Sequence, residues 1–417
     1  MRIVFGCKTN EDKFFLVSFY VYFILAFLPF MKTLPVAYIQ MPIMLFSYSL
    51  LLISSARYMG RRFASMVVVC TIGIILFNYL LIYLQSDYSG ATLINKIGAN
   101  YSLFVTSFPL LLVFSHGFER VDKKRLCNVV LFAVFIICIT TIIGTYRFES
   151  PCRELATPYN PELNRTYLRN GIGGYGFIYF LVLFCQIVIR ELRKKFSLYK
   201  LIMLLTMVFC VIRSEYTMAI VIMLISIIVS ILLHRGNFIS GAITVAAGGI
   251  ILINFENILK WGISIFENAS LYITLRLKSI LQFYQNESIS GDLLLRQKTY
   301  ALSIEAFFEN PIFGRFFKTG AKVGGHSEIL DLAGHAGIIG LIILAVVIWW
   351  IYKYTPLGNI KFDVHLKIMF AVSIILAVIN TFSAPELLFA VFAVPVMFSS
   401  EYKILNTNPD GEEKSPG

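Results

Sequence analysis

The run NPIFG at residues 310–314, followed by GGHSEILD at 324–331, lies in the one long segment between apolar spans, 254–340. Its Asn-Pro pair predicts the end of a helix, because the residue before a proline is disfavoured in the helical region. A new helix is predicted to start at His326 or Ser327, and it leads directly into an apolar span. The segment therefore lies outside the membrane but against its surface, and the rest of the chain serves as its scaffold.

The composition is that of a membrane protein. Hydrophobic residues make up 58% of the chain and charged residues only 14%, and the mean hydropathy is +0.76. Ordinary soluble domains are about half apolar and about a quarter charged. The apolar runs approach the roughly 20 residues that cross a bilayer, and they lack the alternation of a membrane barrel. We therefore predict an all-α polytopic membrane protein.

About twelve transmembrane helices are predicted. They are expected at 14–31, 37–55, 63–84, 101–117, 126–146, 171–189, 198–213, 216–233, 238–255, 337–352, 367–383 and 387–400. The first is expected to be a retained helix, because no small-residue cleavage site follows it. The sequence is predicted to divide into four regions. Residues 1–255 contain spans 1–9 and an outer loop at about 147–170, and residues 256–336 form a large extracytoplasmic helical loop. Residues 337–403 contain spans 10–12, and residues 404–417 form a cytoplasmic tail.

The net charge of +12 reflects topology rather than nucleic-acid binding. Basic clusters follow the even-numbered spans, beginning at Arg57, Arg120, Arg190, Arg235 and Lys353. Because cytoplasmic loops are enriched in lysine and arginine, both termini are predicted to be cytoplasmic. The seven cysteines lie mostly inside spans, which predicts neither a disulfide framework nor a metal site.

Several arginines are predicted on the outer face, where basic residues are usually few. Those that could act together are Arg165, Arg169, Arg213, Arg296 and Arg315. Guanidinium forks that converge on one place suit a phosphate or pyrophosphate. The alternatives are a solvated loop, contact with acidic lipid and, for Arg213, a simple ion pair with Glu215.

His326 is the candidate for proton transfer. It follows two glycines at a helix start, and a neutral imidazole could take a proton from a hydroxyl group near neutral pH. Helical spacing puts Glu328, Asp331 and His335 on one face, where they orient an acceptor or form a structural cluster. The glycines at 171–176 resemble a dinucleotide-binding fingerprint, but no strand precedes them, so helix packing or close approach of a ligand is preferred.

These features together resemble the O-antigen polymerase and O-antigen ligase superfamily of bacterial envelope glycan enzymes. The segments that carry the resemblance are LRQKTY at 295–300 leading to NPIFG, GHSEILD at 325–331 with GIIG at 337–340, RSEYT at 213–217, and the glycine-rich start of the sixth span with Arg165 and Gly176. Two departures stand out: Arg213 precedes its serine, and His326 stands where a second Arg-x10-Gly pattern would have glycine.

The resemblance implies a metal-independent glycosyltransferase without a cofactor, in the inner membrane of a bacterium. It would transfer a glycan from undecaprenyl pyrophosphate to a lipid-linked repeat unit. The implied catalytic residues are His326, Arg213 and Arg296, and the implied ligands of pyrophosphate and glycan are Arg165, Arg169, Arg315, Glu328 and Asp331. The implied partners are the undecaprenyl-pyrophosphate-linked oligosaccharide, the lipid bilayer and a polysaccharide chain-length regulator.

Three other functions remain open. A ligase would transfer the same glycan to lipid A-core, and it shares fold and motifs with a polymerase. A transporter or flippase suits twelve spans, but the chain has no inverted repeat, few ionisable residues inside its spans and one long outer loop. A non-catalytic scaffold would tolerate substitution of the arginines and His326.

Overall fold

The computed structural model describes residues 9–55, 105–156, 160–233, 254–267, 271–285, 292–316 and 323–399. Every regular element in this part of the chain is helical. The longer helices are α1 (Asn10–Phe27), α2 (Val36–Ser55), α3 (Val105–Phe114), α4 (Lys123–Arg147), α5 (Pro161–Arg169), α6 (Tyr175–Lys194), α7 (Leu198–Arg213), α8 (Thr217–Leu232), α9 (Phe255–Phe266), α10 (Leu271–Tyr284), α11 (Asp292–Glu309), α12 (Glu328–Tyr354), α13 (Val364–Ile379) and α14 (Pro385–Met397), and short helical turns lie between some of them.

Four of the described helices, α2, α4, α6 and α12, are long and apolar enough to cross a membrane. Four more, α3, α8, α13 and α14, are apolar but shorter. The protein is therefore a helical membrane protein, as the composition predicts. The predicted span at 63–84 lies outside the described residues, and so does the span at 238–255 except for residues 254 and 255. The predicted tail at 404–417 also lies outside them.

The core of the bundle forms around α6, which is buried on nearly all sides from Phe177 to Arg190. A helix that is apolar all round is stable only when other helices or lipid surround it. Aromatic rings fill the space between α1, α6 and α14: Phe27 lies 5.0 Å from Phe180 and 5.1 Å from Phe389, centroid to centroid.

The helices run up and down, so their ends collect at two opposite ends of the bundle. One end, which we call the basic end, contains Arg120, Arg190, Lys194 and Lys353. Polar side chains join the helices there, as in the Arg190–Asp363 ion pair and in the 2.8 Å hydrogen bond between Ser230 and His365 Nδ1.

The other end, which we call the site end, contains Arg147, Tyr175, Arg213, Glu328 and Ile379. Helices α7, α8 and α13 have 16 residues each and are about 24 Å long, less than the roughly 30 Å of a bilayer core. Three of the helices that meet at the site end are therefore shorter than the bilayer core, while α4, α6 and α12 are long enough to cross it.

Helices α11 and α12 form a hairpin beside the bundle. α11 ends at Glu309, directly before the Asn-Pro pair, as predicted. Ser327 caps α12, and its Oγ accepts the Leu330 N–H at 3.1 Å, which confirms the predicted helix start. The backbone of α12 is broken at Gly337, where φ is 60° and ψ is −155°.

Candidate functional site

The loop of residues 380–384 (NTFSA) is the centre of the site end. Asn380 is extended and ends α13, and Ala384 is extended because Pro385 follows it. Backbone groups of such a loop have no helical partners, and where they are shielded from water they must find other ones. Side chains from helices far away in the sequence supply these partners.

Three tyrosine hydroxyl groups, from α1, α6 and α11, donate to carbonyl groups in and beside this loop. The pairs are Tyr300 with Ile379 (2.7 Å), Tyr175 with Thr381 (2.8 Å) and Tyr22 with Pro385 (3.3 Å). A tyrosine buries a large apolar ring while its hydroxyl group makes one directed bond. The loop is therefore fixed by rigid side chains rather than by its own turn geometry.

Glu328 and Arg296 meet at the same loop. Oε2 of Glu328 accepts the N–H groups of Phe382 (2.9 Å) and Ser383 (3.2 Å). The backbone N–H of Glu328 donates to the carbonyl of Asn380 at 3.1 Å. Nη1 of Arg296 donates to Oδ1 of Asn380 at 3.2 Å. Asn380 thus joins two of the predicted site residues through one side chain and one peptide group.

Asn380 also carries an unpaired donor. The residue is 5% exposed, and its Nδ2 has no acceptor among the described residues. A buried donor without an acceptor costs about 1–3 kcal/mol. An oxygen atom from a bound ligand or water would therefore be held firmly beside Arg296.

His326 lies in the turn at residues 324–327 that leads into α12, which we call the His326 corner. It is half-buried between Gly325, whose φ is 87°, and the capping Ser327. Among the described residues its imidazole has no hydrogen-bond partner. The backbone here is held on α11, because the N–H of Gly324 donates to Ser303 Oγ at 3.1 Å. The imidazole is thus two residues from Glu328 and available to a ligand.

Asp331 has a different environment. Its Oδ1 accepts Ser303 Oγ at 2.5 Å, and its Oδ2 accepts the N–H of Ser327 at 3.0 Å. Both oxygens therefore stabilise the start of α12 and its contact with α11, much as in a capping box. This geometry matches the structural cluster considered above.

Arg315 is bound to a carboxylate of its own. Its Nε and Nη2 donate to the two oxygens of Glu309 at 3.1 and 2.8 Å, and its backbone N–H donates to Gly334. A bidentate pair of this kind holds the guanidinium fork in one orientation. The structure brings Arg315 to the α11–α12 hairpin rather than to the 380–384 loop.

Arg213 lies at the C-terminus of α7, across the site end from α11. Its Nη2 donates to the carbonyl of Thr145 at 3.0 Å, and its guanidinium lies 4.4 Å from the ring centroid of Tyr146. The group is half-buried and stacks against an aromatic face. The described contacts therefore orient Arg213 through α4.

Arg165 and Arg169 are exposed on α5. This short helix packs on the end of α4, where the ring of Tyr167 lies 5.2 Å from that of Phe148. Burial raises the pKa of Tyr167, and the nearby carboxylates Glu154 and Glu149 raise it further. The two arginines thus sit on a helix that is firmly attached, with their charges in solvent.

The glycine run at 171–176 makes close contacts between helices. Gly171 has φ of 75°, and its carbonyl accepts Thr140 Oγ1 at 2.7 Å. The N–H of Gly173 donates to Thr141 Oγ1 at 2.9 Å. The carboxylate of Glu386 lies against Gly176, where a Cβ atom would collide with it. These glycines therefore serve helix packing at the site end.

Comparisons with models of known protein families, with curated proteins and with solved structures found no match. The function of this chain is consequently inferred from its own residues. Within the described residues, no three His, Cys, Asp or Glu side chains group as metal ligands would.

Four residues of the site end were missed by the sequence analysis: Tyr175, Asn380, Lys32 and Glu386. Glu386 pairs with Lys32, and its side chain is only 3% exposed, against 36% for that of Lys32. An ionisable residue beside an apolar span is costly to bury and usually has a partner or a function. That signal, together with the polar run between two short apolar spans, could have identified the 380–384 loop.

Proposed function

We propose that this protein is a bacterial surface-polysaccharide polymerase of the O-antigen type. It transfers a glycan from undecaprenyl pyrophosphate to a sugar hydroxyl group of a second lipid-linked repeat unit. The observation that carries this proposal is that Arg296 and Glu328 both bond the 380–384 loop, with His326 two residues before Glu328, at one end of a membrane helix bundle.

Arg296 and Asn380 suit the pyrophosphate of the donor. The guanidinium group supplies charge-assisted hydrogen bonds to phosphate oxygens, and the unpaired Nδ2 of Asn380 supplies another donor beside it. As the glycosidic bond to pyrophosphate breaks, negative charge grows on the leaving oxygen. Positive groups fixed in advance stabilise that charge in the transition state. Arg213, Arg165 and Arg169 add positive potential at the same end.

His326 suits the role of general base for the acceptor hydroxyl group. In the proposed step the acceptor hydroxyl oxygen attacks the anomeric carbon of the donor glycan, and the imidazole takes the hydroxyl proton. The bond between the anomeric carbon and pyrophosphate breaks, and the electron pair leaves with the pyrophosphate. General-base assistance of this kind contributes typically 10²–10⁴-fold. Glu328 holds the loop that carries Asn380 and thereby positions both halves of the site.

The proposed topology has twelve spans, with both termini and the basic end in the cytoplasm. The site end then faces away from the cytoplasm, across the inner membrane, where lipid-linked repeat units are polymerised. The polyprenyl tail would lie in the bilayer between the short helices. A polysaccharide chain-length regulator is the proposed protein partner.

A gel of surface glycolipid from a strain that lacks this gene tests the function. We expect core carrying one repeat unit, with the ladder of longer chains absent. Bare core, with polymer still on its lipid carrier, would instead indicate a ligase. An unchanged ladder would reject both enzymes, and solute uptake by the reconstituted protein would then indicate a transporter.

Substitution of His326 tests the mechanism. His326→Gln keeps a polar side chain of similar size but cannot act as a base, so we expect the ladder to be lost while membrane insertion is retained. His116→Gln, at the basic end, is the matched control and should restore the ladder. A near-normal ladder from His326→Gln would remove His326 from the chemistry.

A further inference from the structure

Two strained residues are joined at the site end. Ser150 has φ of 45° and Glu215 has φ of 62°, and both lie in the left-handed region, which is unfavourable for residues with a Cβ atom. They are 65 positions apart, yet Ser150 Oγ donates to Oε2 of Glu215 at 2.5 Å. Strain of this kind persists where surrounding contacts determine it, and such residues cluster at functional sites.

A second contact ties the same two segments together. The hydroxyl group of Tyr216 donates to the carbonyl of Cys152 at 2.7 Å. The segments around Ser150 and Glu215 are thus held to each other by two adjacent hydrogen bonds. The carboxylate of Glu215 is consequently fixed in direction as well as in place.

Glu215 is connected to the 380–384 loop through two tyrosine side chains. The ring of Tyr216, the next residue, lies 6.0 Å from the ring of Tyr175. The hydroxyl group of Tyr175 reaches the loop at Thr381. Glu215 is therefore connected through the half-buried rings of Tyr216 and Tyr175 to the loop whose Asn380 bonds Arg296.

This combination suits a saccharide. A carboxylate accepts strong, charge-assisted hydrogen bonds from sugar hydroxyl groups. Aromatic faces carry partial negative charge and pack against the C–H faces of a sugar ring. Glycine would adopt the φ of Glu215 without cost. The chain instead presents a carboxylate there, held by a partner from another segment.

We propose that Glu215, flanked by Tyr216 and Tyr175, binds the saccharide of the acceptor. The proposal rests on the proposed polymerase function and names the acceptor side of that site. Oε atoms of Glu215 accept hydrogen bonds from hydroxyl groups of the acceptor, and the two rings pack on its apolar face. Ser150 is the positioning residue that directs the carboxylate.

The test compares Glu215→Gly and Glu215→Gln with a matched control, His116→Gly. His116 is also strained, with φ of 50°, and also bonds a carboxylate, Glu119, but it lies at the basic end. The acceptor probe is lipid-linked repeat unit extracted from the strain that lacks this gene. Elongation and Tm are measured on purified protein in lipid nanodiscs.

Glu215→Gly relieves the strain but removes the Ser150 hydrogen bond, two opposing effects of similar size, so Tm should stay near the wild-type value. The KM for the acceptor should rise about 10- to 100-fold, as expected for lost charge-assisted bonds. Glu215→Gln should raise the KM as well, without a gain in Tm. His116→Gly should keep or raise Tm and elongate as the wild type does.

Wild-type KM in Glu215→Gln would overturn the proposal, and so would a loss confined to kcat. If Glu215→Gly fails to fold, the isosteric Glu215→Gln still decides. A normal ladder in the strain that lacks the gene would reject the polymerase function itself. By contrast, an inactive Arg296→Ala variant beside fully active Glu215 variants would reject only the acceptor site.

Discussion

Glu328 and Asp331, three residues apart on α12, have different structural roles. Glu328 accepts the N–H groups of Phe382 and Ser383 and so holds the 380–384 loop. Asp331 accepts Ser303 and the N–H of Ser327 and so holds the helix start. Both act on neighbouring protein groups, whereas the imidazole of His326 has no hydrogen-bond partner among the described residues.

Asp331→Asn should therefore affect stability more than activity. The amide keeps one acceptor but cannot accept both Ser303 Oγ and the Ser327 N–H equally well. We expect a loss of about 1–3 kcal/mol in the free energy of unfolding, seen as a lower Tm of the purified protein. Elongation per folded molecule should stay near wild type. Lost elongation with an unchanged Tm would instead assign Asp331 to the substrate.

At the scale of the element, the NPIFG motif completes the broken helix α12. Gly337 leaves the helical conformation, so the backbone N–H groups that follow lose their normal partners. The N–H groups of Ile338 and Ile339 donate to the carbonyls of Pro311 (2.8 Å) and Ile312 (3.3 Å) instead. The motif is thus a packing device that fixes the angle at which the His326 corner meets the span.

Gly337→Ala should break this junction. Its φ of 60° is unfavourable for alanine, and a Cβ atom would collide with the backbone of Pro311 and Ile312. Gly325→Ala is the control, because Gly325 also has a positive φ, 87°, but open space around it. Strain alone costs about 1–2 kcal/mol, so Tm should fall clearly further for Gly337→Ala. Equal losses would show that the backbone contact contributes nothing.

Features set by neighbouring residues were predictable, and features set by distant ones were not. The Asn-Pro pair and Ser327 predicted one helix end and one helix start, and α11 and α12 confirm both. The 380–384 loop depends on pairs such as Tyr22 with Pro385, which are 363 positions apart. Sequence patterns describe one helix at a time, so they do not reveal such pairs.

At the scale of the whole molecule, the up-and-down helices place different sets of polar contacts at the two ends of the bundle. The basic end joins its helices with ion pairs such as Arg190–Asp363, in which the arginine is buried and the aspartate is half-buried. The site end joins them with tyrosine hydroxyl groups and loop carbonyls around Arg296, and also with the Lys32–Glu386 ion pair. Under the proposed function the lipid-linked donor is polymerised outside the cytoplasm, and it reaches the site end only if the bundle is oriented with its basic end inside.

Cysteine labelling of spheroplasts tests that orientation. In a background with all seven native cysteines replaced, Arg169→Cys samples the site end and Lys195→Cys samples the basic end, and both positions are exposed. We expect a membrane-impermeant maleimide to label Arg169→Cys directly and Lys195→Cys only after permeabilisation. The reverse pattern would put Arg296 and His326 in the cytoplasm, away from the donor that the proposed function requires. Direct labelling of both would mean that α6, which connects the two positions, does not cross the membrane.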